Sequence, residues 1–165
     1  MGTGKTAVGE ILARALDRRF VDTDRLIEET AGHTITELFT KYGEAYFRDR
    51  ESEAISSLTD YQPGTLVVAT GGGAVLRDHN RSVLSRDGLI VLLTATPRAI
   101  KRRIAKNANR PLLTENSTAK IGAMLQERDI FYRDCTFSID TTGLTVRQVA
   151  GKILTCINSP RSDKL

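Results

Sequence analysis

Two unbroken apolar runs, Leu66-Val67-Val68-Ala69 and Leu89-Ile90-Val91-Leu92-Leu93, constrain the fold more than any other feature of the chain. A strand with one wet face alternates apolar and polar side chains; a strand covered on both faces does not. Both runs therefore read as strands of a parallel sheet. The segments around them have helical spacing. Residues 6–16 carry Val8, Ile11, Leu12, Ala15 and Leu16 on one face. Thr34 and Glu37 form a capping box, and Thr96-Pro97 joins a cap to a first-turn proline. Further helices are expected over 25–31 with Asp24 as their cap, over 44–58 after a stop near Tyr42-Gly43, and over 120–133 and 146–157. Short strands are expected over 20–22 and 137–140. Strands alternating with helices specify an α/β fold with a mostly parallel sheet.

At 165 residues with 40% hydrophobic content, the chain suits one domain over 1–158 and a tail over 159–165. Its 24 Lys and Arg against 20 Asp and Glu give +4, an excess that fits phosphates and small anions better than duplex nucleic acid. Cys135 and Cys156 have no Cys or His neighbour at metal-ligand spacing and read as reduced thiols. No apolar run approaches the roughly 18 residues that cross a bilayer. The expectation is a cytoplasmic monomer with no nucleic-acid or membrane partner.

Gly2-Thr3-Gly4-Lys5-Thr6, running through Ala7 into a helix, is the second half of a phosphate-binding loop. Backbone amides at the helix start surround the phosphates of ATP, Lys5 touches the β and γ oxygens, and the Thr6 hydroxyl faces Mg²⁺. The same letters can also arise by chance in a turn before a helix. The pattern requires one more glycine and a buried strand ahead of it, and the sequence starts inside the loop. The expectation is accordingly that the first strand is missing from this chain and lies upstream of Met1. A strand's apolar side chains contribute about 1.5 to 3 kcal/mol each, against roughly 5 to 15 kcal/mol for a whole domain. Residues 1–165 alone are therefore expected to be unstable or weakly active.

Asp22-Thr23-Asp24 follows a strand's carboxyl end, where open α/β sheets hold their ligands. Asp22 is a candidate for the Mg²⁺ side, and Asp24 for accepting hydrogen bonds and a proton from substrate hydroxyls. The plainer alternative makes Asp24 a helix cap. Gly71-Gly72-Gly73 allows close backbone approach to a ligand. Arg48 and Glu51, three apart on a helix, can make a braced carboxylate clamp or a solvated helix face. Arg110, in an irregular polar segment, is either surface charge or a cation reaching the γ-phosphate.

Taken together, Gly2-x-Gly-Lys-Thr, Asp22-Thr-Asp24, Phe47-Arg48-x-x-Glu51, Gly71-Gly-Gly73, Arg110-Pro-Leu-Leu113 and Tyr132-Arg133 resemble the shikimate kinase family in order and spacing. The resemblance implies a three-layer α/β fold of P-loop, nucleoside monophosphate kinase type with a five-stranded parallel sheet. A lid is expected near 107–118 and a substrate-binding region near 34–58. The resemblance further implies ATP and Mg²⁺ at Gly2, Thr3, Gly4, Lys5, Thr6 and Ala7, with Arg103 near the adenine and Asp22 beside Thr6 on the metal. Shikimate is assigned to Asp24, Arg48, Gly72 and Arg133, with both arginines on its carboxylate. Lys5, Asp24 and Arg110 carry the catalysis, and the reaction transfers the γ-phosphate of ATP to the 3-hydroxyl of shikimate. Two alternatives are a non-catalytic relative with this fold and a kinase for another small acceptor such as gluconate.

Overall fold

The computed structural model describes residues 2–86, 88–105, 118–133 and 135–159. Along the chain run α1 (Lys5–Ala15), β1 (Arg19–Asp22), α2 (Thr23–Ala31), α3 (Ile35–Ser56), β2 (Leu66–Ala69), α4 (Asp78–Arg86), β3 (Val91–Thr94), α5 (Pro97–Ala105), α6 (Thr118–Asp129), β4 (Phe137–Asp140) and α7 (Val146–Asn158). Short 3₁₀ turns occupy Ser57–Asp60, Ala74–Leu76 and Ile130–Tyr132. The α/β class and the parallel pairing agree with expectation.

Instead of one sheet, the described strands form two parallel pairs, β1 with β2 and β3 with β4. Side chains join the pairs. Val8 and Leu12 of α1, Leu93, Ile139 and the α7 residues Val149, Ala150 and Ile153 form one core, and Val67 of β2 packs against it. Because each described strand has a single partner, burial is less complete than the apolar runs predict. Ala69 is buried in β2 and Leu93 in β3, and the rest of both strands is half-buried or exposed.

Strand β3 starts two residues later than its apolar run. The Ile90 N–H donates to the Thr136 hydroxyl at 3.0 Å, outside the ladder, and Leu89 is exposed. A second core joins Ile27 of α2 to Leu38, Phe47 and Ala54 of α3. The Thr34–Glu37 capping box forms as expected, and Gly43 at φ 81 breaks α3 where its first helix was expected to stop. The cap of α2 is a correction: Asp22, not Asp24, accepts from the N–H groups of Asp24 and Arg25. Helix α2 begins at Thr23, two residues before the expected start, which moves the capping position back to Asp22.

Gly9 is where α1 meets β1. A Cβ there would lie 2.4 Å from Cε2 of Phe20. Alanine in a helix gains about 1 kcal/mol over glycine, while overpacking costs about 1 to 3 kcal/mol. A rigid ring cannot fold away as a flexible chain can, so overpacking wins. Gly9→Ala is expected to lower stability by about 1 kcal/mol, measured by urea denaturation; an unchanged or raised midpoint would show that the ring moves aside freely.

Candidate active site

In the β1–β2 register Asp22 lies opposite Ala69, so both strands end at the same level. The next residues, Thr23-Asp24 and Thr70-Gly71, therefore emerge side by side. This pairing brings together two motifs that are far apart in the chain.

On the phosphate side, Gly4 takes a left-handed conformation (φ 92) as the residue before α1, a geometry that glycine adopts without the strain a side chain would add. Lys5 and Thr6 open the helix, and Ala7 is exposed. The Thr6 hydroxyl donates to Asp22 Oδ2 at 2.7 Å. The other oxygen, Oδ1, accepts the Asp24 N–H at 3.0 Å. One carboxylate thus caps α2 and touches the phosphate loop. A hydroxyl and a carboxylate beside a helix N-terminus are hard oxygen donors of the kind Mg²⁺ takes when it shares phosphate oxygens. Arg103 of α5 ties the loop to the far strands. It donates to the Gly2 carbonyl at 3.4 Å, the Thr141 hydroxyl at 2.8 Å and the Thr141 carbonyl at 2.6 Å.

The glycine triplet divides this region from a second cluster. A Cβ on Gly71 would lie 2.8 Å from both Asp24 Oδ1 and Glu51 Oε1, and one on Gly73 would lie 2.2 Å from Arg48 Nη1. The triplet is thus wedged between two carboxylates and a guanidinium. Arg48 Nη1 donates to Glu51 Oε2 at 2.8 Å, while Nε and Nη2 donate to Glu44 Oε1. Burial opposes the charge on Arg48, but Glu51 and Glu44 outweigh it and hold its pKa above the ordinary range. Glu51 is 1% exposed, and its Oε1 has no hydrogen-bond partner among the described residues. Burial raises the Glu51 carboxyl, Arg48 draws it back, and the Asp24 charge adds to the rise.

The structure assembles Asp24, Arg48, Glu51 and Gly71 to Gly73 as the sequence reading grouped them. It treats the second arginine differently. Arg128 Nη1 donates to the Gly72 carbonyl at 2.9 Å, and the Tyr132 hydroxyl donates to the same oxygen at 3.2 Å. Burial raises the Tyr132 phenol, with Arg128 opposing. Arg133 is exposed in the turn after Tyr132. Residues 128 and 132 are four apart and share a helical face, whereas 133 is rotated about 100° away. Arg128 was missed, although its i, i+4 relation to Tyr132 was visible in the sequence. Arg110 and residues 107–117 of the expected lid lie outside the described residues.

A glycine loop opening onto a helix on parallel α/β strands, with a hydroxyl–carboxylate pair beside it, is the layout of a P-loop nucleotide-using protein. A family model described as shikimate kinase matches residues 1–158. The chain belongs to the shikimate kinase family. A shikimate kinase from Thermodesulfovibrio yellowstonii is 46% identical over 155 residues, covering 93% of this chain and 88% of the relative. One from Geobacter sulfurreducens is 46% identical over 158 residues, covering 95% and 86%. Among solved structures, shikimate kinase from Acinetobacter baumannii in complex with shikimate matches with TM-score 0.90 at 40% identity, over 99% of this chain and 91% of that one. The enzyme from Aquifex aeolicus matches with TM-score 0.81 at 27% identity, over 95% and 91%.

Proposed function

We propose that this chain transfers the γ-phosphate of ATP to the 3-hydroxyl of shikimate. The observation that carries the reading is the convergence on the glycine triplet of two acids, Asp24 and Glu51, and two arginines, Arg48 and Arg128, next to the Thr6–Asp22 contact at the phosphate loop. A hydroxylated carboxylate needs an acceptor for its hydroxyls and paired cations for its charge, and this cluster offers both.

In this reading the amides of Gly2 to Thr6 and the Lys5 ammonium hold the ATP phosphates. Thr6 and Asp22 would hold Mg²⁺, which when bound neutralises phosphate charge and orients the transferring group. Asp24 orients the attacking hydroxyl and takes its proton, and Lys5 with Arg110 offsets the charge of the transition state. Arg103 stands on the nucleotide side. Arg48, braced by Glu51 and Glu44, and Arg128, which can turn from Gly72, hold the acceptor carboxylate. Arg128 replaces Arg133 in that role because its guanidinium is at the triplet.

The direct test is ADP release with shikimate as acceptor and gluconate alongside. ADP release that depends on shikimate supports the reading; none with shikimate but turnover with gluconate, or none with either, overturns it. A charge-assisted hydrogen bond contributes about 1.5 to 3 kcal/mol, roughly ten- to a hundredfold in binding. Arg128→Ala is therefore expected to raise the KM for shikimate by roughly that factor with the KM for ATP unchanged, and Arg133→Ala to leave both within about twofold. The reverse pattern would restore the clamp to Arg133.

A further inference from the structure

We propose that Thr23 is a positioning residue for the acceptor site, its buried hydroxyl setting where the glycine triplet stands relative to Asp24. The proposal rests on the function proposed above. Thr23 is 0% exposed and is the first residue of α2, between the two aspartates. A hydroxyl is costly to bury unless it is hydrogen-bonded, and an apolar side chain would be cheaper there. The bond it makes is to the Gly71 N–H, which donates to Thr23 Oγ1 at 3.1 Å across 48 residues of sequence.

Each glycine of the triplet then meets a different part of the site. Gly71 faces Asp24 and Glu51, Gly72 offers its carbonyl to Arg128 and Tyr132, and Gly73 lies against Arg48. These contacts are close, because a methyl group on Gly71 would fall 2.8 Å from carboxylate oxygens of Asp24 and Glu51 and would require one of those side chains to shift. A triplet released from Thr23 shifts against all of these side chains together. The phosphate side has separate ties, Thr6 to Asp22 and Arg103 to Gly2 and Thr141. Loss of the Thr23 hydroxyl should therefore register on the acceptor and spare ATP.

Thr23→Val removes the hydroxyl at nearly constant volume, and Thr23→Ser keeps it while removing a methyl. Steady-state kinetics in both substrates on the full chain are expected to show the KM for shikimate raised roughly tenfold in Thr23→Val, the size of one lost buried hydrogen bond, with the KM for ATP within about twofold. Thr23→Ser should stay within about threefold of the unaltered protein on both. Parallel rises in both constants, a normal Thr23→Val, or a Thr23→Ser as impaired as Thr23→Val would each overturn the proposal. Should Thr23→Val fail to fold, Thr23→Ser and hydrogen exchange at the Gly71 amide of the unaltered protein decide. A slow Gly71 amide supports the tie, and a freely exchanging one refutes it. An unaltered protein with no turnover of shikimate would instead sink the proposed function, leaving the Gly71 exchange rate to judge Thr23.

Discussion

Gly73→Ala is expected to raise the KM for shikimate by roughly ten- to a hundredfold, the loss of an arginine's charge-assisted contacts. The new Cβ would fall 2.2 Å from Arg48 Nη1 and 2.6 Å from Cζ and Nη2, so one partner must move. The triplet backbone is held by its own turn, in which Ala74 N–H donates to the Gly71 carbonyl and Leu76 N–H to the Gly73 carbonyl. Arg48 is long and flexible and gives way more cheaply, abandoning its bonds to Glu51 and Glu44. That leaves Glu51 buried without its cation. Burial already favours the protonated carboxyl, so the stability loss should be about 1 to 3 kcal/mol, short of the full cost of an unpaired buried charge. Steady-state kinetics with a denaturation curve check both halves. A variant with ordinary affinity for shikimate would show that Arg48 is not held against the triplet in solution.

The second large effect belongs to Asp24→Asn, expected to lower kcat by roughly 10² to 10⁴, the usual worth of a general base. The structure separates this effect from stability. Asp22 caps α2, so changing Asp24 leaves the capping bonds in place. The thermal midpoint should therefore move by no more than a few degrees, the scale of a sub-kcal/mol change. A kcat within about threefold of normal would remove Asp24 from the proton transfer.

These residues also show how far the sequence was legible. Local signals read well: the Thr34–Glu37 capping box, the break at Gly43 and the strand over 137–140 need no knowledge of distant chain. The α2 cap did not, because Asp22 and Asp24 are both good capping residues. Spacing alone cannot say which N–H groups will point at which carboxylate. The meeting of Asp24, Glu51 and the triplet was grouped by motif, but its tightness follows from the β1–β2 register. Arg128 escaped for a related reason. Adjacent letters drew attention to Tyr132-Arg133, whereas a helix presents residue 128 beside 132. The start of β3 was misjudged because Leu89 and Ile90 are as apolar as their neighbours, and the choice of Thr136 as partner to Ile90 is made across 46 residues.

The Gly72 carbonyl, which accepts from two donors, permits an exchange without detachment. An arginine that turns from a neutral carbonyl to a carboxylate trades one ordinary hydrogen bond for charge-assisted ones about twice as strong. Because Tyr132 holds the same oxygen from the next turn, the segment that lends its guanidinium stays moored by its phenol. Under the proposed function, Arg128 would reach the acceptor carboxylate by a side-chain rotation alone, with the backbone that carries it left at anchor.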